Sequence, residues 1–202
     1  MTIRRLSIYT RCLQQLEEDG VKTISSQELA DRFSLNSAQV RKDLAYFGEF
    51  GVRGIGYYVQ GLKVELQRIL GLDREWPVAL VGLGNLGAAL FHYKGFSRQG
   101  FRIVVVFDDD PAKAGRDLDG VPVVSTHEVA REIKARAIQI AVLAVPADAA
   151  QVVTDQLVAA GIKAVLNFAP ARLRVPKATR LRNVDLAIEL ETLSFHLAQG
   201  TH

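Results

Sequence analysis

Disulfides are out of reach for this chain of 202 residues, because it holds one cysteine, Cys12. A small secreted fold stapled by bridges is excluded, and so is a zinc site built on thiolates. Histidine is scarce as well: there are four (His92, His127, His196, His202), with no HxxxH spacing, so no metal site is expected. No apolar run reaches the length of a membrane span. The polar, basic start from Met1 to Arg11 has no signal-like apolar stretch behind it, so the expected address is the cytosol. An excess of one charge is also missing. The net charge is +3, with 11 Lys/Arg against 10 Asp/Glu in residues 1–75 and 14 against 12 in residues 76–202. Bulk charge therefore does not point to nucleic acid, although Arg32 to Lys63 holds five basic residues and two acidic ones. What is present is an ordinary globular balance, 49% hydrophobic and 23% charged. At about 150 residues per domain the length allows one large domain or two small ones.

The first third reads as short helices. Ile3, Leu6, Leu13 and Leu16 fit one helical stripe with Tyr9 between them, and the run ends at Gly20. Ser25 and Glu28 form a capping box that opens a short helix burying Leu29, Ala30 and Phe33. After a break at Ser34-Leu35-Asn36, a second box from Asn36 to Gln39 opens a helix through Phe47. Two helices across a tight turn, preceded by a longer one, make a helix-turn-helix pattern. Gly48 to Val59 alternates aromatic and β-branched residues with glycines and reads as a β-hairpin with a glycine-rich tip. A helix over Leu62–Leu70 follows. The segment from Gly71 to Pro77 is polar and holds the expected boundary, with residues 1–75 as one domain.

From Pro77 the pattern changes. Val78–Val81, Phe101–Phe107, Val121–Val124, Ile138–Val145 and Lys163–Phe168 are continuous apolar runs, as strands buried on both faces require. Helical stretches at Leu86–Lys94, His127–Lys134 and Ala147–Ala160 lie between most of them. Strand alternating with helix predicts an α/β unit over residues 76–184, with a Rossmann-like, doubly wound parallel sheet. The last segment, residues 185–202, is expected to be helical. It carries Leu186, Leu190, Leu193 and Leu197 on one stripe and Ile188 and Phe195 off it, so burial on more than one side is expected.

Gly82-Leu83-Gly84-Asn85-Leu86-Gly87 matches GxGxxG after a predicted strand and before a predicted helix. The first glycine permits the tight turn, the second lets backbone N–H groups approach a pyrophosphate, and the third lets helix pack on strand. Asp108 ends the second strand, where its carboxylate can accept from both ribose hydroxyls and repel a 2′-phosphate. NAD(H) is therefore expected over NADP(H). Val145, Pro146, Asn167 and Phe168 stand at later strand ends, where they can pack on or hydrogen-bond a nicotinamide. None of them moves protons, and His92 and His127 fall away from the strand ends, so no catalytic residue is assigned.

On the helix from Ser37, the residues Val40, Leu44 and Phe47 should face the core and Arg41, Lys42 and Ala45 should face away. Ser37, Ala38 and Gln39 occupy the first turn, which in a recognition helix meets base edges. Arg41 suits guanine, Gln39 adenine and Lys42 phosphate. Arg53, beside Gly54, puts a cation on a hairpin tip whose backbone can come close to DNA, which describes a wing.

The stretch Gln39-Val40-Arg41-Lys42-Asp43-Leu44-Ala45-Tyr46-Phe47-Gly48, followed by Arg53-Gly54-Ile55-Gly56-Tyr57, resembles the Rex family of redox-sensing transcriptional repressors. Gly82–Gly87, Tyr93–Phe96, Phe107–Pro111, Asn167–Pro170 and Asn183–Asp185 extend the resemblance over nearly the whole chain, in order. It implies a winged helix, a Rossmann domain that binds NADH or NAD+ as effector, and a homodimer with a swapped C-terminal helix. It also implies repression of respiratory and fermentative genes from a palindromic operator, relieved by NADH, and a switch in which Arg11 pairs with Asp185 and Tyr93 takes part. The residues alone also allow Asp185 to cap the helix it precedes. Two other readings stay open: a small NAD-dependent oxidoreductase, and a CoA- or nucleotide-binding subunit of a larger enzyme.

Overall fold

The computed structural model describes residues 2–200, and its contacts divide the chain into two units, Met1–Arg74 and Glu75–His202. In the first unit, α1 (Thr2–Glu18) buries Leu6, Tyr9, Leu13 and Leu16, which recur every three or four residues. Ile3, expected on that stripe, is instead 56% exposed: it sits in the first turn, beyond the reach of the core. α2 (Ser26–Phe33) starts at the expected capping box, with the Ser25 hydroxyl accepting from the Glu28 N–H and the Glu28 carboxylate accepting from the Ser25 N–H. Ser34 is left-handed at φ 53° and turns the chain sharply. The Asn36 side chain accepts from the Gln39 N–H at 2.9 Å and opens α3 (Ser37–Phe47). α4 (Val59–Ile69) packs on α1. A Lys63–Glu17 ion pair also links them, but such a pair at a surface adds at most about 1 kcal/mol. Each buried leucine among Leu13, Leu16, Leu62 and Leu66 contributes about 2 kcal/mol, so apolar burial decides this contact.

The expected hairpin shrinks to one antiparallel bridge, Val52 to Gly56. Gly54 and Gly56 both hold positive φ, and the turn they make is too tight for a ladder. The strand that follows, β2 (Tyr57–Tyr58), pairs instead with β1 (Thr23–Ile24), just ahead of α2. α4 begins three residues earlier than expected, because Tyr58 at its N-cap makes no side-chain bond that would mark the start.

The second unit is an α/β sheet in the order β5-β6-β4-β3-β7-β8-β9. β3 (Trp76–Val81) runs parallel to β4 (Phe101–Phe107) on one side and to β7 (Ile140–Leu143) on the other. β6 (Val121–Val124) continues the parallel sheet beyond β4, and β8 (Ala164–Asn167) and β9 (Arg180–Asn183) continue it beyond β7. The short β5 (Asp117–Leu118) adds an antiparallel edge. Successive side chains alternate between faces. Ala79 and Val81 join the core under α7 (Val129–Ala135) and α8 (Ala147–Ala160), while Val78 and Leu80 join the one under α5 (Asn85–Phe91).

The apolar runs at β3, β4, β6, β7 and β8 match the expected strands to within a few residues. β9 was not expected: its sequence, Arg-Leu-Arg-Asn, suits an exposed edge and shows no apolar run. The single helix expected over Leu86–Lys94 is two, α5 and α6 (Lys94–Arg98), broken at His92-Tyr93. A 3-10 turn, Thr126–Glu128, precedes α7. α9 (Leu186–Gln199) is capped by Asp185, whose carboxylate accepts from the Ala187 N–H at 3.0 Å.

Candidate functional site

Strand order reverses beside β3, and in such sheets ligands sit at the carboxyl ends of the strands at that point. There β3 runs into Gly82, at φ 91°, where a Cβ would lie 2.5 Å from the Ala144 carbonyl oxygen. Gly84 caps α5 without a side chain, so the first N–H groups of the helix are left open to an anion. A Cβ on Gly87 would sit 1.9 Å from the Gly82 carbonyl oxygen, so only glycine lets α5 approach the strand. Asn85 is exposed in the first turn of α5, and Leu83 packs against the core beneath it.

Asp108 stands beside this loop but is not bare. One carboxylate oxygen accepts from the Leu83 N–H at 2.6 Å, and the other accepts from the Asp110 N–H at 2.9 Å. Lys113 Nζ lies 3.5 Å from both oxygens and 3.3 Å from Asp110. The carboxylate keeps acceptor capacity for ribose hydroxyls, since two oxygens offer about four acceptor positions. Asp109 plays another part: the Thr126 hydroxyl and N–H and the Ser125 hydroxyl bind it and hold its carboxyl below the usual range. Gly82, Gly84, Asp108, Lys113, Val145 and Pro146 line a cavity of about 330 Å³. Leu86, Phe168, Pro170, Asn183 and Asp185 line a second, of about 460 Å³. The first reaches the glycine loop at Gly82 and Gly84, and the second reaches Leu86 in the first turn of α5.

Asn167 corrects an expectation. It is fully buried, and its amide donates to the carbonyls of Ala169 and Ala171 and to the Asn183 side chain, while its oxygen accepts from the Ala169 N–H. It braces the Phe168–Ala171 loop and has no surface to offer a ring. Lys113 and Asn183, which do line the cavities, escaped sequence reasoning. Lys113 lies in a loop, and Asn183 ends the strand that had no apolar signature.

On α3, Ala38, Arg41 and Lys42 are exposed and Ser37 and Gln39 are half-buried. Arg41 Nη1 donates to the Ser26 hydroxyl at 2.9 Å, which steadies the guanidinium at the start of α2. Arg53 and Gly54 are exposed at the tip of the tight turn. Asp43 was passed over in the sequence, yet it is 3% exposed. It accepts from Arg5 Nε at 2.5 Å and Nη2 at 2.7 Å, from the Tyr9 hydroxyl at 2.9 Å and from Gln39 Nε2 at 2.8 Å. The Arg5 bonds first, then those of Tyr9 and Gln39, hold its carboxyl at about 2 against the effect of burial. Burial, with the bond to Asp43, pushes the Tyr9 phenol up to about 12. The position of Asp43, three residues after Val40 and inside the apolar stripe, was the available signal.

Of the expected switch residues, Arg11 is exposed on α1 and Asp185 caps α9. Tyr93 is 57% exposed, with its ring across Gly95 and edge-on to Phe96 at 5.2 Å. Cys12 is buried and its thiol is pushed up by that burial, so it is no reactive thiolate. Among the described residues no group of His, Cys, Asp or Glu could hold a metal, and no helix is long and apolar enough to cross a membrane.

Comparison with known proteins agrees with this geometry. Residues 1–45 match the family described as putative DNA-binding protein N-terminus, and residues 73–171 the one described as CoA binding domain. The redox-sensing transcriptional repressor Rex of Roseiflexus sp. is 49% identical over 199 residues, 98% of this chain and 90% of its own. That of Syntrophomonas wolfei is 52% identical over 197 residues, 98% and 94% of the two chains. Among solved structures, RSP in complex with β-NAD+ and operator DNA matches with a TM-score of 0.94 at 41% identity, over 98% of this chain and 92% of that one. RSP in complex with β-NADH matches at 0.88 and 39% identity, over 98% and 93%. With half of its residues shared with such repressors along nearly its full length, the chain belongs to the Rex family of redox-sensing transcriptional repressors.

Proposed function

We propose that this chain is a DNA-binding transcriptional repressor whose effector is the NADH/NAD+ pair, and that NADH releases it from its operator. The observation that carries the reading is the solved relative that holds NAD+ and operator DNA together, matched here over 98% of the chain. The glycine loop with Asp108 takes the adenosine and pyrophosphate, and the cavity at Leu86, Phe168 and Pro170 takes the nicotinamide. Ser37, Ala38, Gln39 and Arg41 meet base edges, Lys42 meets phosphate, and Arg53 and Gly54 form the wing. Residues 1–75 act as the reader, 76–184 as the sensor and 185–202 as the dimerisation segment of a homodimer with a swapped α9, working in the cytoplasm. Arg11, Tyr93 and Asp185 form the switch.

The protein is a regulator and not an enzyme. The strand ends carry Gly82, Val145-Pro146 and Phe168-Ala169-Pro170, none of which transfers a proton, and the Asp108 carboxylate is tied to the Leu83 and Asp110 N–H groups at the adenosine end. A CoA- or nucleotide-binding subunit would leave the wing and the outward Arg41 and Lys42 idle. The test is fluorescence polarisation of a labelled palindromic duplex. NADH should release the protein, NADPH at the same concentration should not, and a duplex bound alike with and without NADH rejects the redox reading.

A further inference from the structure

We propose that Asp43 is a positioning residue for base readout, turning the Gln39 side-chain amide so that its oxygen, and not its nitrogen, faces outward from the first turn of α3. The inference rests on reading α3 as the DNA-contacting helix. Gln39 and Asp43 lie four residues apart, on neighbouring turns of one helix face. An ionised carboxylate only accepts hydrogen bonds, so the amide touching it must turn its nitrogen inward. It does so at 2.8 Å, and the flipped amide would set two acceptor oxygens against each other. Asp43 cannot yield, because Arg5 grips it with two bonds and Tyr9 with a third, all from α1. The Gln39 oxygen takes no hydrogen bond among the described residues.

The consequence is a fixed acceptor at position 39. In the major groove its partners are amino groups, N6 of adenine or N4 of cytosine, and it is repelled by the keto oxygens of guanine and thymine. Two residues on, Arg41 presents donors from a guanidinium that Ser26 steadies. The first turns of α3 thus carry an acceptor and a donor whose identities are set before DNA arrives.

Asp43→Asn tests this. Arg5 Nε and the Tyr9 hydroxyl donate to one carboxylate oxygen, and Arg5 Nη2 and Gln39 Nε2 to the other, so an amide in either orientation sets its NH2 against an Arg5 N–H and no longer offers Gln39 acceptors alone. Gln39 is then free to present either end of its amide. Polarisation assays over duplexes with each operator base pair replaced in turn should show Gln39→Ala flattening the preference at one pair by about fivefold. Asp43→Asn should flatten the preference for an amino-bearing base at that same pair and leave the other pairs alone. An unchanged preference there, or an equal loss on every duplex, overturns the proposal. Should Asp43→Asn not fold by circular dichroism, the wild-type protein still decides. The Gln39 side-chain amide, identified by its disappearance from 15N spectra of Gln39→Ala, should show one proton shifted from the free-glutamine position and protected from solvent exchange. The shifts and exchange rate of a free glutamine amide overturn the proposal. A wild type that bound all duplexes alike would instead remove the reading of α3 itself, a failure the spectra separate from loss of the Asp43–Gln39 bond.

Discussion

Asp108 faces two demands at once, tying the glycine loop to β4 through the Leu83 N–H and standing 3.5 Å from Lys113. While the carboxylate is present it repels a 2′-phosphate, and Lys113 is its counter-ion. Asp108→Ser is therefore expected to weaken NADH about tenfold, the worth of charge-assisted hydrogen bonds to the ribose. It should also strengthen NADPH, because Lys113, left with Asp110 alone, can turn to the phosphate. Adding Lys113→Ala should remove the NADPH gain, and calorimetry with both nucleotides checks each step. Equal binding of NADH and NADPH to wild type would remove the ribose assignment. Asp43 makes a prediction in acid. Its folded value, about 2, is below that of a free aspartate, so its stabilisation is present above about pH 4 and is lost as pH falls toward 2. Tyr9→Phe removes one of the donors that lower that value. Acid unfolding followed by circular dichroism should then begin at higher pH, with a loss of about 1 kcal/mol. An unmoved acid limb would mean the Tyr9 bond contributes nothing.

At the scale of elements, α3 and α9 carry opposite kinds of unused surface. α3 exposes Arg41 and Lys42 on the face away from its buried Val40 and Leu44. Arg41→Ala should cost at least about tenfold in operator affinity and relax base preference, while Lys42→Ala should weaken all sequences alike and flatten the salt slope by about one unit. Binding isotherms across salt concentrations separate the two. α9 exposes Leu186, Ile188, Leu190, Leu193, Phe195 and Leu197, each between 55% and 76% accessible. An apolar residue of this kind gains about 1.5–3 kcal/mol on burial, so six on one short helix favour association strongly. A chain ending before Asp185 should be a monomer by light scattering, and the full chain a dimer. A truncated chain that stays dimeric would place the interface elsewhere.

At the scale of the whole molecule, a reader and a sensor on one chain make a thermodynamic demand. If NADH lowers operator affinity by some factor, operator DNA lowers NADH affinity by the same factor. For a coupling of about 1–3 kcal/mol that factor is about five to 150. NADH titrations with and without saturating duplex should return the ratio seen in duplex titrations with and without saturating NADH. If Asp185 is part of the latch with Arg11, Asp185→Ala should reduce the release factor more than it reduces NADH affinity. Its cap on α9 is worth about 1 kcal/mol, so helix content must be checked alongside. Identical release in wild type and Asp185→Ala would take that residue out of the switch.

What could be read in the residues was what short windows encode. The Ser25–Glu28 box, the Asn36 cap, the glycine loop and the buried strands each depend on neighbours within a few positions, and all of them stand where the periodicity put them. The helix-turn-helix, the doubly wound sheet and the cradle followed from those. Tertiary structure decided where partners come from far along the chain. Asp43 became a buried hub only because Arg5, 38 residues away, reaches it from α1. Asn167 left the ligand surface because Asn183, 16 residues on in an edge strand without apolar signature, closed its hydrogen bonds. The wing strand found its partner in β1, ahead of the helices, and not across its own turn. Local sequence sets which hydrogen bonds a side chain is able to make; which of them it does make depends on what the fold brings within about 3 Å.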